Sequence, residues 1–446
     1  MNIETESDYN KFKEENISGE WFMYIVPVYD KLHPVVNNIS VLFIRNLFTN
    51  KTYSFSIEHP DAIHWNVNNL ILGSNKKWVF DKKSFDQMLK LSNTYDVNLI
   101  CYLQENSTID STTYNTIAHK LIYKHNGIQK TSNLSIPLLK HQEMFDDLAD
   151  DVTHLITEYV PDAAYIKFNE LIIGTLCELE SQGICVDREK FNKRFNIDSG
   201  INSMVYSQYN TYTVTGRPSN HYDSVNYAAL NHKDGSRDCF ISRFGDDGRM
   251  VLVDYATFHP RIICGLTNYK IPIETDIYEY LAKLYFHKTD IDETDIAFAK
   301  NITFRQLFGG VEDAYSYIKY FSNLKTFIDS QWEYFNNNGY VLTPFFNRKI
   351  TSKHILAPTP PKIFNYILQA TEGEVSIPRI KIVMDYLKSK MTRAVLYTYD
   401  SVLYDFYKGD GYNTLNDIRD IMSINGEFPL KTYVGTTYNN LKLINI

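Results

Sequence analysis

Cysteine is scarce in this chain, with five residues among 446: Cys101, Cys177, Cys185, Cys239 and Cys264. The number is odd, the spacings are wide and no C-x-x-C pair occurs. That argues against a disulfide framework or a structural zinc site and favours a reducing compartment. Long apolar runs are missing too. None approaches the roughly 20 residues that span a bilayer, and residues 1–20 are polar and acidic, unlike a signal or transit peptide. The expectation is a soluble, cytoplasmic protein. Glycine (19) and proline (14) are too few for collagen-like or low-complexity sequence. Excess positive charge is also lacking, since 45 basic and 53 acidic residues give a net charge of −8. No global field advertises nucleic-acid binding, although an acidic protein can still line one cleft with cations.

What the chain has is apolar and aromatic mass: 44% hydrophobic, with 34 Tyr and 26 Phe. That supports full hydrophobic cores in roughly three domains of about 150 residues each. Apolar runs at residues 21–26, 39–44 and 53–57, with a turn signal at 49–51, predict two or three antiparallel strands. Helical patterns follow at 83–91, 114–123 and 164–182, and Gly183 closes the last before the short run 184–186. Residues 187–210, polar and rich in Asn and Ser, read as a connection. Strand-like 250–254 and 394–399 bracket a mostly helical stretch with patterns at 276–285, 296–308, 312–336 and 362–369. One sheet with a helical domain mounted on it is the expected α/β (α+β multidomain) arrangement.

Asp254 and Asp400 each end one of those apolar strands. A carboxylate beside a buried run is costly unless paired or metal-bound. Two of them ending neighbouring strands could share a pair of divalent ions. The alternative is that each caps a strand at the surface.

The company these two keep decides between the readings. Thr213, Thr215, Gly216 and Arg217 form a T-x-T-G-R segment. Asn226 follows, then Gly235, Arg237 and Phe240. The run Asp254-Tyr255 with His259 and Arg261 is similar to D-Y-S-Q-I-E-L-R, and Ala299, Lys300, Phe304, Phe308 and Gly309 are similar to A-K-x-x-x-F-G-x-x-Y-G. Asn365 and Gln369 match I-N-x-x-x-Q, Tyr399-Asp400-Ser401 stands where V-H-D-E would be, and Glu180, Gly183 and Asp187 match E-x-x-G-x-x-x-D. In this order, over residues 180–401, the chain resembles the family A DNA polymerases.

The resemblance implies two Mg²⁺ ions held by Asp254 and Asp400, with primer–template DNA and dNTPs as ligands. Lys300 and Phe304, four apart on one helix face, would meet the triphosphate and the incoming base or sugar; otherwise they belong to an ordinary amphipathic helix. Tyr255, His259 and Arg237 are further expected nucleotide contacts, although a lone arginine is more often solvated. Arg217, Asn226, Asn365 and Gln369 would contact DNA, largely in the minor groove, whose acceptors are nearly sequence-independent. Arg348, after a turn at Pro344, would touch the template backbone.

The chain departs from the pattern at several places. His259 replaces the glutamate that crowds the ribose 2′ position, so ribonucleotide discrimination is in question. Ile296 and Tyr278 replace an arginine and a histidine that bind phosphate, and Tyr399 and Ser401 replace the residues flanking the second aspartate. Only residues 188–212 stand where the family has a helical thumb. The first domain resembles the proofreading exonuclease, with Val26, Val28, Phe145 and Ala149 in place of metal-binding or catalytic residues; Asp146, Asp147 and Asp150 leave a shifted alignment open.

The expected division is a vestigial exonuclease-like domain (1–155), a connecting helix with shortened thumb region (156–212), palm (213–265), fingers (266–340) and palm again (341–446). The expected function is a DNA-directed DNA polymerase of a virus or similar replicon, without proofreading and dependent on a protein partner for duplex grip. The rival readings are a non-catalytic polymerase-like assembly subunit and an active nuclease.

Overall fold

A computed structural model of the chain describes residues 1–15, 19–29, 32–66, 75–105, 132–196, 203–220 and 225–444. The helical pattern expected at 114–123 lies outside them, as do residues 197–202 of the expected connection. The chain divides into two compact units, Met1–Ser181 and Gln182–Ile446.

The first unit is built on a five-stranded sheet of β1 (Trp21–Pro27), β2 (Ile39–Asn46), β3 (Thr52–Ser56), β4 (Lys77–Val79) and β5 (Thr94–Asp96), in the order β3-β2-β1-β4-β5. The first three strands are antiparallel, as their turn signal implies, and β4 and β5 run parallel to β1. Both faces are covered, which is why β1 and β2 read as near-continuous apolar runs. On one face Phe12, from the helix Glu6–Glu15, meets Tyr53 and Phe55 edge-on, with ring centroids 4.9 and 5.3 Å apart. On the other, Phe145 of the helix Leu138–Thr157 stacks on Phe22 and Phe43 at 5.6 and 4.9 Å. The helical run from Ala163 to Gln182 contains a π segment, Phe168–Ile173. It turns Asn169 inward, where Nδ2 donates to the Thr94 carbonyl (3.1 Å) and Oδ1 accepts from the Asp96 N–H (3.2 Å). With the Tyr165 hydroxyl donating to the Asp96 carbonyl at 2.9 Å, two side chains thus cover the open edge of β5.

The second unit opens with short paired strands, β6 (Ile184–Cys185) with β7 (Met204–Val205) and β8 (Tyr209–Asn210) with β9 (Ser219–Asn220). Next come β10 (Gly248–Tyr255), four helices (Phe258–Leu266, Ile277–Phe286, Glu293–Gly309, Lys319–Asn338) and a hairpin of β11 (Tyr340–Leu342) and β12 (Lys349–Thr351). The helix Pro360–Tyr386 leads to β13 (Arg393–Thr398) and β14 (Ser401–Tyr407), then β15 (Leu430–Gly435) and β16 (Lys442–Ile444). The central sheet is antiparallel in the order β13-β14-β10-β15-β16.

Two sequence expectations are corrected here. The strands read at 250–254 and 394–399 are not neighbours, because β14 lies between them. The chain reverses at a two-residue turn, Tyr399-Asp400, which has no Gly or Asn to signal it. The helical pattern at 362–369 is the start of a 27-residue helix that runs through Gly373 and Pro378. Packing against the rest of the unit outweighs the local preference of both residues to break it.

Candidate active site

The site grows from the ends of the central strands. Asp254 is the penultimate residue of β10 and pairs in register with Ser401 on one side and Lys431 on the other. Asp400 occupies the hairpin turn directly before β14, and its carbonyl accepts the Tyr255 N–H at 2.9 Å. The two carboxylates expected to act together are therefore held side by side by sheet pairing. Desolvation and then the charge of Asp400 push Asp254 up to about 7. Asp400 is the more exposed residue of the two, yet desolvation of its carboxyl and then the Glu372 carboxylate raise it as well. Like charges confined this way favour a proton or a cation between them.

Both carboxylates face a cavity of about 420 Å³ whose lining includes His232, Arg237, Tyr433 and Tyr438. Arg237 is fixed there by Nε and Nη2 donating to the Leu230 carbonyl at 3.1 and 2.8 Å, with its guanidinium 4.5 Å over the Tyr438 ring. Asn226 is exposed on the loop just before Tyr227, another lining residue.

The backbone around the carboxylates is strained. Tyr399, at φ +61°, and the β-branched Thr257, at φ +55°, adopt left-handed conformations that cost non-glycine residues about 1 kcal/mol or more each. Tyr399 is held by the Arg217 guanidinium, 3.7 Å above its ring. Arg217 in turn comes from a loop closed by its own motif. Thr213 Oγ1 donates to the Arg217 carbonyl (2.9 Å), the Arg217 N–H donates to Thr215 Oγ1 (3.3 Å), and Gly216 supplies the φ of +71° that the turn needs. Thr257 marks the elbow from β10 into the helix Phe258–Leu266, which carries His259. Arg261, one residue past Pro260, is buried and clamps the carbonyls of Ile271 (2.9 Å) and Thr275 (2.7 Å).

A residue that sequence reasoning missed ties these parts together. Glu372, on the helix Pro360–Tyr386, is fully buried; one carboxylate oxygen accepts from Arg217 Nη2 at 2.9 Å and the other faces His259 Nε2 at 2.8 Å. Its position three residues after Gln369, on the same helix face, was the available signal. Lys431 and Tyr433 were missed because β15 was not recognised as a strand.

The helix Glu293–Gly309 starts at a capping box between Asp292 and Asp295 and presents Lys300 to solvent. The Lys300 ammonium stands 5.9 Å from the ring centroids of both Tyr278 and Phe304. Phe304 stacks on Phe308 at 5.6 Å, and the Phe308 ring meets His259 edge-on at 5.9 Å. Asn365 Nδ2 donates to the Phe308 carbonyl at 3.3 Å, and Gln369, half-buried, lies one turn further along the same helix.

Two expected contacts are placed elsewhere. Tyr255 is buried, stacked on Phe258 at 4.1 Å with its hydroxyl donating to the Met422 carbonyl, so its ring supports the site from below instead of facing a nucleotide. Arg348 is buried as well; Nη1 donates to the Val214 carbonyl at 3.0 Å, which props the Arg217 loop. Both contacts are expectations from the family resemblance, and in this chain tertiary packing turns both side chains inward.

No family model and no curated protein matches the chain. Among solved structures, the POL domain of Pol1 from M. smegmatis, in complex with DNA primer-template and dNTP, matches with a TM-score of 0.74 at 12% identity, over 99% of this chain and 100% of that one. At that identity the likeness shows fold: the chain has the mixed α/β fold of a DNA polymerase domain.

Proposed function

We propose that this chain is a template-directed DNA polymerase that adds dNTPs to a primer by two-metal nucleotidyl transfer. The observation that carries the reading is the pairing of Asp254 and Asp400 at one end of the central sheet, in a chain whose fold is that of a polymerase domain.

The carboxylate pair fits Mg²⁺. This ion is typically held by one or two carboxylates and completes its shell with water and substrate phosphates. Among the described residues no group of three or more metal-ligating side chains occurs, so a site here relies on such outside ligands. When bound, two Mg²⁺ would neutralise charge on the transferring phosphoryl group and favour the ionised primer hydroxyl. The protein's own groups have separate tasks. Asp254 and Asp400 hold the charge of the site in one place. Lys300, free in solvent above the aromatic pair, can meet the triphosphate, and Phe304 and Phe308 offer a stacking face for the base. Arg217 and Gln369 would contact the duplex.

The first unit is read as a proofreading-type domain without its metal ligands. Val26, Val28, Phe145 and Ala149 are all buried apolar positions, and Asp146 and Asp150 both pair with Arg45. Among the described residues of the 188–212 connection, Arg188–Phe195 is the only helix, which supports a reduced thumb and a need for a protein partner. The reading is tested by primer extension on a primed template in Mg²⁺. Templated incorporation by wild type that is lost in Asp254→Ala supports it, and no incorporation by wild type refutes it.

A further inference from the structure

The Glu372 carboxylate is completely enclosed and makes two charge-assisted contacts, to Arg217 and to His259. A buried carboxylate is tolerated only when its partners satisfy it, so these two side chains are locked to one point. A carboxylate only accepts hydrogen bonds, so His259 must carry its proton on Nε2, which fixes the ring's tautomer and orientation. The fixed ring then reaches Phe308, the end of the Phe304–Phe308 stack. His259 thus meets the aromatic stack that would take the base and lies close enough to Asp400, of the pair that would serve the phosphates, to act on its charge. The part of a nucleotide between base and phosphates is the sugar.

We propose that Glu372 is a positioning residue that sets which sugar the insertion site accepts, by holding His259 in place. The inference rests on the polymerase reading. It adds that selectivity comes from a two-residue unit, a histidine on one helix and a buried carboxylate on another, with Arg217 as the second tether that holds the carboxylate still.

The test compares dNTP and rNTP insertion by kcat/KM in wild type, Glu372→Gln, His259→Ala and the double variant, with thermal melts to verify folding. Glu372→Gln keeps the shape and removes the charge. It should lower the dNTP preference at least about tenfold, the smallest effect expected for losing a hydrogen bond to a charged group. If Glu372 acts through His259, the double variant should match His259→Ala instead of multiplying the two losses. A second pair needs no change at Glu372. His259→Gln keeps an N–H donor and should retain more of the preference than His259→Phe, which fills the space and cannot donate. Unchanged selectivity in Glu372→Gln, multiplicative losses, or equal behaviour of His259→Gln and His259→Phe would each overturn the proposal and leave the polymerase reading intact. Failure of wild type to insert any nucleotide would overturn both.

Discussion

The Tyr255 N–H donates to the Asp400 carbonyl at 2.9 Å, and this one backbone bond ties the end of β10 to the turn before β14. It sets two acidic side chains next to each other, with Lys431 acting on Asp254 and Arg217 and His259 on Asp400 offsetting only part of their charge. The arrangement is electrostatically unfavourable in the free protein, and that cost makes several consequences measurable.

Asp254 is raised from an ordinary 3.8 to about 7 by desolvation and by Asp400. Between those values the folded protein holds a proton that the unfolded chain has released, so this group lowers stability as pH rises through the window. Asp254→Asn should therefore stabilise the metal-free protein at pH 8 by about 2 kcal/mol. That is below the ceiling of about 4 kcal/mol for such a displacement, because water enters the open side of the site. The difference should vanish near pH 4, and Mg²⁺ should raise the melting temperature of wild type only. A variant less stable than wild type at pH 8 in EDTA would contradict this account.

Gly183 ends the preceding helix at φ +62°, and a Cβ there would stand 2.9 Å from both Met204 Cε and Tyr206 Cε1. Gly183→Ala should cost about 1–2 kcal/mol in denaturant titration, the sum of left-handed strain and a small repacking. Equal stability would mean that this glycine is not needed for the turn.

Much of the site was legible in sequence, and what was not has a common cause. Asp254, Asp400, Lys300 and Phe304 stand out because ordered family motifs surround them; a strand-end aspartate or a pair four apart on a helix reads alone as ordinary structure. The β13–β14 hairpin was hidden by a turn formed from Tyr399 and Asp400, whose conformation is imposed by sheet pairing and by Arg217. Glu372 looked like one more acid on a helix, and only the meeting of three separate segments makes it a hub. The resemblance assigns Tyr255 and Arg348 to ligands, and nothing local in the sequence marks either as buried.

In the first unit, apolar side chains fill positions 26, 28, 145 and 149, and Arg45 occupies Asp146 and Asp150. Purified protein should leave single-stranded and mismatched 3′ ends intact in Mg²⁺. Digestion that survives purification and disappears in Asp147→Ala would show instead that the unit cleaves DNA.

Duplex grip comes mainly from contacts to phosphates, and the chain has a net charge of −8 and a short 188–212 connection. In single-hit extension against excess trap DNA, the isolated protein should add only a few nucleotides per encounter, fewer as salt rises. A partner that tethers it should lengthen the products by raising its effective concentration at the primer end. Long products from the protein alone at physiological salt would rule out the need for a partner.

The most direct test of the central claim is single-turnover incorporation of the templated dNTP in Mg²⁺ by wild type, Asp254→Ala and Asp400→Ala, with folding verified by circular dichroism. Each carboxylate removed forfeits metal-borne stabilisation worth several kcal/mol, so both variants should be slower by about a thousandfold or more. Near wild-type rates in either variant would show that the paired aspartates are not the catalytic centre.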